Sequence, residues 1–283
     1  MQVLESTLLN KQHSIFYQIW NPATPPKGHI LITHGWNEYS SCYQDFAKFL
    51  VSKSWKVWAY DLRGHGKSSG DRGSIDFLSS YSSDLNEMVD LINSEKINSD
   101  PLILFAHSFG ACINVLSWEE NINKKVDALG LSSPAIGLKD SGSKWQQILA
   151  HIGLRYFPEL SIKHSIDVNK LTSDKKIQKN NYNDPYRHNK ISPSLFNIMD
   201  TAYDKAKKSI LKLKKPVFIQ ASGIDKIVDL EKTTKIFEKI PAKSKHLKIY
   251  QNSEHEVLND IEKEQVYTDF IEFAENLPQQ IKN

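Results

Sequence analysis

A chain of 283 residues, of which 40% are hydrophobic, is long enough to bury a sizeable core and suits one α/β domain that carries an insertion. No stretch approaches the roughly 18 consecutive apolar residues of a membrane-spanning helix, and residues 1–21 lack the apolar core of a secretory signal. The two cysteines, Cys42 and Cys112, are expected to be free thiols in a reducing compartment. We therefore expect a cytoplasmic protein.

The net charge of +3 conceals an uneven distribution of charge along the chain. Residues 137–215 contain 16 lysines and arginines against 7 aspartates and glutamates, so this segment is basic while the remainder is acidic. Two interpretations stay open: a solvated, lysine-rich surface, or a peripheral association with anionic membrane lipids, to which each basic residue contributes on the order of 1 kcal/mol. Nucleic acid is a poor candidate partner, because no motif of interleaved aromatic and basic residues accompanies the charge.

Strands and helices alternate along most of the chain. Two alternating stretches, Val3–Leu9 and Ser14–Trp20, predict an antiparallel hairpin. The later predicted strands are short apolar runs that suit burial on both faces: Gly28–Thr33, Lys56–Tyr60, Leu102–Ala106, Ala128–Leu131, Val217–Ala221 and His246–Tyr250. The predicted helices between them include Cys42–Ser52, Phe77–Asn93 and Leu230–Lys239. This order predicts an α/β fold with a parallel sheet, helices on both faces, and sites at the carboxyl ends of the strands.

Residues 137–215 interrupt the alternation, because they are basic and polar and contain no buried-strand pattern. We assign them to an inserted cap, and residues 1–136 and 216–283 to the main domain. Four apolar residues of this segment recur at helical spacing, namely Trp145, Ile148, Leu149 and Ile152. This stripe is typical of packed core, and the alternative is that part of it lines a tunnel for an acyl chain or enters a membrane interface.

The most informative motif is Ala106-His107-Ser108-Phe109-Gly110, which follows an apolar strand and precedes a helix-like run. A serine on a sharp turn between a strand and a helix is typical of a nucleophile elbow, where the hydroxyl stands clear of the sheet. Small residues on either side permit the turn. Ala106 stands where glycine is usual, so the turn must accommodate one extra methyl group. Ser108 is therefore the candidate nucleophile.

A serine hydroxyl needs a histidine to accept its proton and an acid to orient that histidine. In this arrangement the acid follows the strand after the insertion and the histidine follows the last strand. Asp225 has the first position and His255 the second. Asp229 is the alternative acid, although it is better suited to cap the helix from Leu230. The competing histidines are assigned to packing or to the surface: His107, His151, His164, His188 and His246.

Two further loops follow strands. The loop that begins His34-Gly35-Trp36 has the position that supplies one main-chain N–H of an oxyanion hole, and the residue after the nucleophile supplies the other. These residues are Trp36 and Phe109. The glycine-rich loop 61–70 lacks the spacing of a phosphate-binding loop, and we assign it a scaffold role, with Asp61 and Arg63 in local hydrogen bonds.

These motifs together resemble the monoacylglycerol lipase and lysophospholipase group of serine α/β-hydrolases, which is related to the serine aminopeptidases. The residues that carry the resemblance are His34-Gly35 with Glu38, Asp61 to Ser68, the serine elbow, Asn183-Asp184-Pro185, Asp225 and His255-Glu256. The resemblance implies an α/β-hydrolase fold with a mostly parallel eight-stranded sheet and a helical cap on the catalytic domain. It implies hydrolysis of a monoacylglycerol or lysophospholipid through an acyl-serine intermediate, without metal or cofactor.

Two points remain open after the resemblance. A general carboxylesterase or thioesterase that acts on small soluble acyl substrates is the alternative function. A binding module without catalysis is disfavoured, because all three candidate positions hold competent residues. In relatives the motif that ends in Tyr186-Arg187-His188 lies where the cap rejoins the catalytic domain. We expect a structural role for it, and contact with a lipid head group is the alternative.

Overall fold

A computed structural model of the chain describes residues 2–97, 100–120, 122–139, 153–163 and 167–277. The strands are β1 (Gln2–Asn10), β2 (His13–Asn21), β3 (His29–Thr33), β4 (Lys56–Tyr60), β5 (Leu102–His107), β6 (Ala128–Ser132), β7 (Ile162–Lys163), β8 (Lys190–Ile191), β9 (Val217–Ser222) and β10 (Lys245–Tyr250). The α-helices are α1 (Gln44–Ser52), α2 (Leu78–Glu95), α3 (Phe109–Ser117), α4 (Ile122–Lys125), α5 (Lys175–Asn183), α6 (Pro193–Ser209), α7 (Leu230–Glu238) and α8 (Lys263–Glu275), and residues 153–156 form a further helical turn.

Eight of the strands form one sheet in the order β1-β2-β4-β3-β5-β6-β9-β10. The pairs β1–β2 and β2–β4 are antiparallel, and all other neighbouring strands of this sheet are parallel. The predicted α/β-hydrolase fold with a mostly parallel eight-stranded sheet is confirmed. Every predicted strand agrees with the observed bounds to within one residue at each end.

Burial of the last strand differs from the prediction. β10 lies at the edge of the sheet, where β9 is its one partner among the described strands, and Ile249 is 36% exposed. The prediction that this strand is buried on both faces is therefore wrong. Three of its six residues are polar, namely Lys245, His246 and Lys248, which suits a strand that is partly solvated.

Helices cover both faces of the sheet and form two separate hydrophobic cores. On β5, Leu102 and Leu104 face the core beneath α2, α3 and α6, while Ile103 and Phe105 face the core beneath α1 and α8. This division follows from the two-residue period of a strand, which directs successive side chains to opposite faces. Burial of apolar residues on both faces explains why the central strands are continuous apolar runs in the sequence.

None of the eight sheet strands lies in residues 137–215, whose described part contains the short β7–β8 ribbon and the helices α5 and α6. α6 begins after Ser192, whose hydroxyl accepts a hydrogen bond from Leu195 N, and its buried face packs on α3. The boundaries of the predicted cap stay a prediction. The predicted apolar stripe lies outside the described residues, and so do two of the histidines considered above. The stripe consists of Trp145, Ile148, Leu149 and Ile152, and the histidines are His151 and His164.

Two further observations concern the chain as a whole. Cys42 and Cys112 are both free thiols, as predicted, and Cys112 is buried in α3. Within the described ranges, no helix combines the length and the apolar character that crossing a membrane would require.

Candidate active site

Ser108 lies on the turn between β5 and α3 in a backbone conformation that residues with a side chain rarely adopt. Its φ is +49° and its ψ is −115°. Three main-chain hydrogen bonds hold it there. Ser108 N donates to Ser132 O at 2.9 Å, and Ser108 O accepts from Ala111 N and Ala135 N at 3.1 and 3.2 Å. The turn places the serine at the carboxyl end of β5, where its side chain borders a pocket.

The two small residues of the motif, Gly110 and Ala106, differ in how closely the surrounding structure restricts them. A Cβ atom on Gly110 would lie 2.4 Å from His34 O and 2.6 Å from Thr33 O, so α3 crosses the end of β3 too closely for any side chain. Ala106, where the family usually has glycine, lies on β5 between β3 and β6, and its methyl group is fully buried in the core on one face of the sheet. The turn therefore accommodates this methyl group, whereas Gly110 is required by the close contact.

The structure brings Ser108, His255 and Asp225 into one hydrogen-bonded series. His255 Nε2 lies 2.9 Å from Ser108 Oγ, and His255 Nδ1 lies 2.8 Å from Asp225 Oδ2. Because a carboxylate only accepts hydrogen bonds, Nδ1 carries the hydrogen and Nε2 is the acceptor for the serine hydroxyl. The other oxygen, Asp225 Oδ1, accepts from Ile227 N and Val228 N at 2.7 and 2.9 Å. The loops after β9 and β10 thus hold the acid and the histidine opposite the serine.

The charges of this series reinforce each other. Burial lowers the pKa of His255, but the charge and hydrogen bond of Asp225, together with the charges of Glu256 and Glu38, raise this pKa above its usual value. Burial raises the pKa of Asp225, but attraction to His255 and the hydrogen bonds to its oxygens lower that pKa below the usual range. Asp225 is therefore an anion that stabilises the protonated form of His255.

The alternative acid, Asp229, has a different position. It is the N-cap residue of α7, where its side chain accepts a hydrogen bond from Lys232 N at 3.0 Å. The capping role that the sequence predicts for Asp229 is thus observed.

The other described histidines that the sequence analysis considered pack against neighbouring rings. His107 ends β5 with its ring centre 4.9 Å from that of His255, and burial lowers the pKa of His107 to about 3. His188 lies 4.4 Å from the ring of His65, and His246 lies against Phe273 on the surface of α8. Among these, His107 is the one that borders the pocket, and it is neutral.

The pocket around Ser108 has a volume of about 520 Å³, part of which is open to solvent. Trp36, in the loop after β3, and Phe109, the first residue of α3, line it beside Ser108. Most of the remaining wall is apolar and consists of Ala135, Leu138, Leu171, Met199, Tyr203 and Ile227. Trp36 and Phe109 thus both border the pocket beside Ser108, and their role as donors of an oxyanion hole stays a prediction.

A buried cluster of three charged side chains forms the polar end of the pocket. Arg187 Nη1 lies 3.0 Å from Glu256 Oε1, and Arg187 Nη2 lies 3.7 Å from Glu38 Oε1. Burial and the charge of Glu256 raise the pKa of Glu38 to about 7. Burial raises the pKa of Glu256, but the charge and hydrogen bond of Arg187, together with smaller contributions from His107 and Asn259, hold that pKa below its usual value.

The sequence analysis gave Glu38 and Glu256 no chemical role of their own. Both stand next to assigned residues, Glu38 two positions after Trp36 and Glu256 directly after His255. A charged residue at such a position is the signal that could have indicated the cluster.

The loop after β4 is a scaffold, as the sequence predicts. Asp61 accepts hydrogen bonds from Ser40 N and Lys67 N, both at 2.7 Å. Arg63 donates two hydrogen bonds to the carboxylate of Asp84 in α2, at 2.6 and 2.7 Å. These contacts fix the loops beneath the site without entering the pocket.

The chain is similar in sequence to a known protein family. The sequence pattern of the family described as serine aminopeptidase, S33, matches residues 24–262. The chain belongs to this family of hydrolases. An abhydrolase domain-containing protein of Dictyostelium discoideum is 27% identical over 99% of this chain, which spans 30% of that relative's length. The monoacylglycerol lipase of Mycolicibacterium smegmatis is 24% identical over 90% of both chains.

A solved structure adds a comparison of fold. A soluble variant of monoglyceride lipase from Saccharomyces cerevisiae, in complex with a substrate analog, is 23% identical and covers 96% of this chain and 95% of its own. The TM-score is 0.87. The predictions of an α/β-hydrolase related to monoacylglycerol lipases, and of an enzyme of the carboxylic ester hydrolase type, are confirmed at the level of the family.

Proposed function

We propose that this protein is a serine hydrolase that cleaves the carboxylic ester of a single-chain lipid, with monoacylglycerol as the favoured substrate class. The observation that carries the proposal is the series Ser108 Oγ, His255 and Asp225 at 2.9 and 2.8 Å, at the edge of a pocket with a mostly apolar wall. Relatives named as monoacylglycerol lipases support the choice of substrate class.

In the proposed first step, His255 Nε2 accepts the proton of Ser108 while the serine oxygen attacks the ester carbonyl carbon. The main-chain N–H groups of Trp36 and Phe109 stabilise the oxyanion of the tetrahedral intermediate. The proton on Nε2 then passes to the alcohol oxygen as the ester bond breaks, which leaves an acyl-serine. Asp225 stabilises the transient imidazolium, as the raised pKa of His255 indicates.

In the proposed second step, water takes the place of the alcohol. His255 Nε2 accepts a proton from the water, whose oxygen attacks the acyl carbon, and the same two N–H groups hold the second oxyanion. The proton returns to Ser108 Oγ as the acyl bond breaks. A carboxylic acid leaves, and the enzyme is restored without any metal or cofactor in the scheme.

The pocket supports a neutral head group rather than a phosphate. Among the described residues that line it, Arg187 is the one with a guanidinium or ammonium group, and two carboxylates already compensate its charge. A phosphate would meet these carboxylates without a free cation to pair with. The apolar wall, by contrast, suits an acyl chain, so we infer that monoacylglycerol is preferred to lysophospholipid.

The experiment compares hydrolysis of a 1-monoacylglycerol, a lysophosphatidylcholine and short p-nitrophenyl esters by wild type and Ser108→Ala. We expect the highest kcat/KM for the monoacylglycerol and no turnover by the variant. Turnover of the short p-nitrophenyl esters alone would support the alternative, a general carboxylesterase or thioesterase that acts on small soluble substrates. Undiminished turnover by a folded Ser108→Ala would contradict the assignment of the nucleophile.

We also propose that residues 137–215 act as a cap that attaches the enzyme to anionic membrane surfaces from the cytoplasm. Two observations support the attachment. The segment carries the basic excess of the sequence, and four of its large apolar side chains are exposed, namely Tyr156, Phe157, Leu160 and Ile162. Basic residues beside exposed aromatic and aliphatic groups are typical of proteins that lie on a membrane surface. The two free thiols support a reducing compartment.

A further inference from the structure

Arg187 reaches from the segment between α5 and β8 into the space between two loops of the main domain. Its side chain is 6% exposed. Nη1 and Nη2 both donate to the carboxylate of Glu256, at 3.0 and 3.4 Å, and Nη2 also lies 3.7 Å from Glu38 Oε1. A single cation from the predicted cap thus lies between two carboxylates that belong to different loops.

Each of these carboxylates is attached to a part of the proposed machinery. Glu38 Oε2 accepts a hydrogen bond from Gly35 N at 2.7 Å and another from Tyr43 Oη at 2.7 Å, so it fixes the turn that carries Trp36. Glu256 directly follows His255 in the chain. The position of Arg187 therefore joins the turn of the proposed oxyanion hole to the loop of the proposed base.

Two neighbouring contacts act on the same two loops, one from this segment and one from the chain just before α5. Asp184 accepts a hydrogen bond from Tyr39 Oη at 2.7 Å, next to Glu38 in the chain. On the other side, Glu256 N donates to Leu171 O at 2.7 Å. Docking of this segment thus holds both loops at once, with Arg187 at the centre.

The charges argue against a role for Arg187 as a contact for the substrate. A buried guanidinium that is paired with two carboxylates has little remaining attraction for an anionic or neutral head group. The carboxylates, in turn, depend on the guanidinium, because two buried anions repel each other when no cation lies between them. Burial and, after it, the charge of Glu256 raise the pKa of Glu38.

We propose that Arg187 is a positioning residue that sets the distance between the Trp36 loop and the His255 loop, so that the site is complete only while the segment around residues 184–188 is docked. The inference rests on the proposed serine ester hydrolysis. It differs from that proposal in naming a residue that acts on both steps without touching the substrate.

The test compares Arg187→Met with Arg187→Lys on two esters of the same fatty acid, a 1-monoacylglycerol and a p-nitrophenyl ester. Because a displacement of about 1 Å can cost on the order of 100-fold in rate, we expect kcat of Arg187→Met to fall by roughly 10- to 100-fold on both esters, with little change in KM. Arg187→Lys, which keeps the charge, should recover part of the rate. Arg155→Met, which removes an exposed arginine elsewhere in the predicted cap, is the matched control and should keep the wild-type kcat on both esters.

Three results would overturn the inference. One is a loss confined to the KM for the monoacylglycerol, which would identify a head-group contact; another is an unchanged kcat on both esters. Arg187→Met leaves Glu38 and Glu256 as two buried anions. The double variant Arg187→Met/Glu256→Gln, which removes one of them, is therefore measured as well, and the Tm of each variant shows whether it is folded. The third result that would overturn the inference is a folded double variant with wild-type kcat. Failure of Ser108→Ala to abolish activity would instead contradict the proposed function itself.

Discussion

Asp225 meets two different demands with its two carboxylate oxygens. Oδ2 accepts the hydrogen bond from His255 Nδ1, while Oδ1 accepts two main-chain N–H groups of its own loop. An amide in this place has only one oxygen, so it must lose either the loop contacts or the bond that selects the histidine tautomer. Replacement of Asp225 by the isosteric asparagine should therefore impair the proposed mechanism.

We predict that Asp225→Asn lowers kcat by about 10,000-fold while the protein stays folded, since the wrong tautomer of His255 cannot accept the serine proton. Steady-state hydrolysis of a p-nitrophenyl ester measures the loss. Asp229→Asn is the matched control, because asparagine also caps helices well, and its kcat should equal that of wild type. Equal losses in the two variants would contradict the assignment of the acid.

The pH dependence follows from the raised pKa of His255. This residue accepts a proton only when it is neutral, so kcat/KM should fall on the acidic side with a midpoint above the value of about 6.5 for a free imidazole. Asp225, Glu256 and Glu38 raise this pKa, whereas His107 is neutral in this range. Asp225→Asn should move the midpoint to lower pH. A midpoint below that of free imidazole in wild type would contradict the ion-pair geometry.

At the scale of elements, α3 determines how the serine is presented. Its first turn passes so close to the end of β3 that the carbonyl oxygens of Thr33 and His34 contact Gly110. The helix and the strand therefore fix the turn between them, and Ser108 keeps its unusual φ because both neighbours are rigid.

We predict that Gly110→Ala destabilises the protein by about 1–3 kcal/mol, because the added Cβ forces α3 away from β3. Alanine favours helix over glycine by about 1 kcal/mol, so a helix without this contact would be stabilised instead. Urea unfolding with an unchanged m-value measures the difference. A gain in stability would contradict the close approach of the two elements.

At the scale of the whole molecule, the uneven charge of the chain has a measurable consequence. Reversal of three exposed lysines on α5, Lys175, Lys176 and Lys179, should weaken binding to vesicles with anionic lipids by several orders of magnitude, at on the order of 1 kcal/mol or more for each residue. Added salt should weaken binding by wild type. Reversal of three exposed lysines outside the predicted cap, Lys235, Lys239 and Lys243, keeps the net charge matched and should leave binding intact. Binding that is independent of salt would contradict the proposed attachment.

Most of the sheet could be predicted from the sequence because central strands are apolar on both faces, as Leu104 and Phe105 are on β5. The exposure of an edge strand could not be predicted in this way. Ile249 is exposed because β10 is the last strand of the described sheet, and the apolar character of a strand does not show its place in the sheet. The proximity of Ser108, Asp225 and His255 could be predicted, since the carboxyl ends of parallel strands meet at one edge of the sheet.

The contacts of Arg187 could not be predicted in the same way. Its partners belong to loops that are distant in the sequence, and neither local periodicity nor strand order specifies which side chain of the cap enters between them. Long-range ion pairs depend on the docked arrangement of the whole molecule, which local patterns do not encode.

The most direct test of the proposed mechanism is the labelling of the intact protein with a fluorophosphonate, followed by peptide mapping, because only an activated serine reacts with this probe. We predict that the label is found on Ser108, that Ser108→Ala takes up none, and that Asp225→Asn reacts far more slowly than wild type. A folded wild-type protein that stays unlabelled, or a label on another serine, would contradict the proposed role of the Ser108, His255 and Asp225 series.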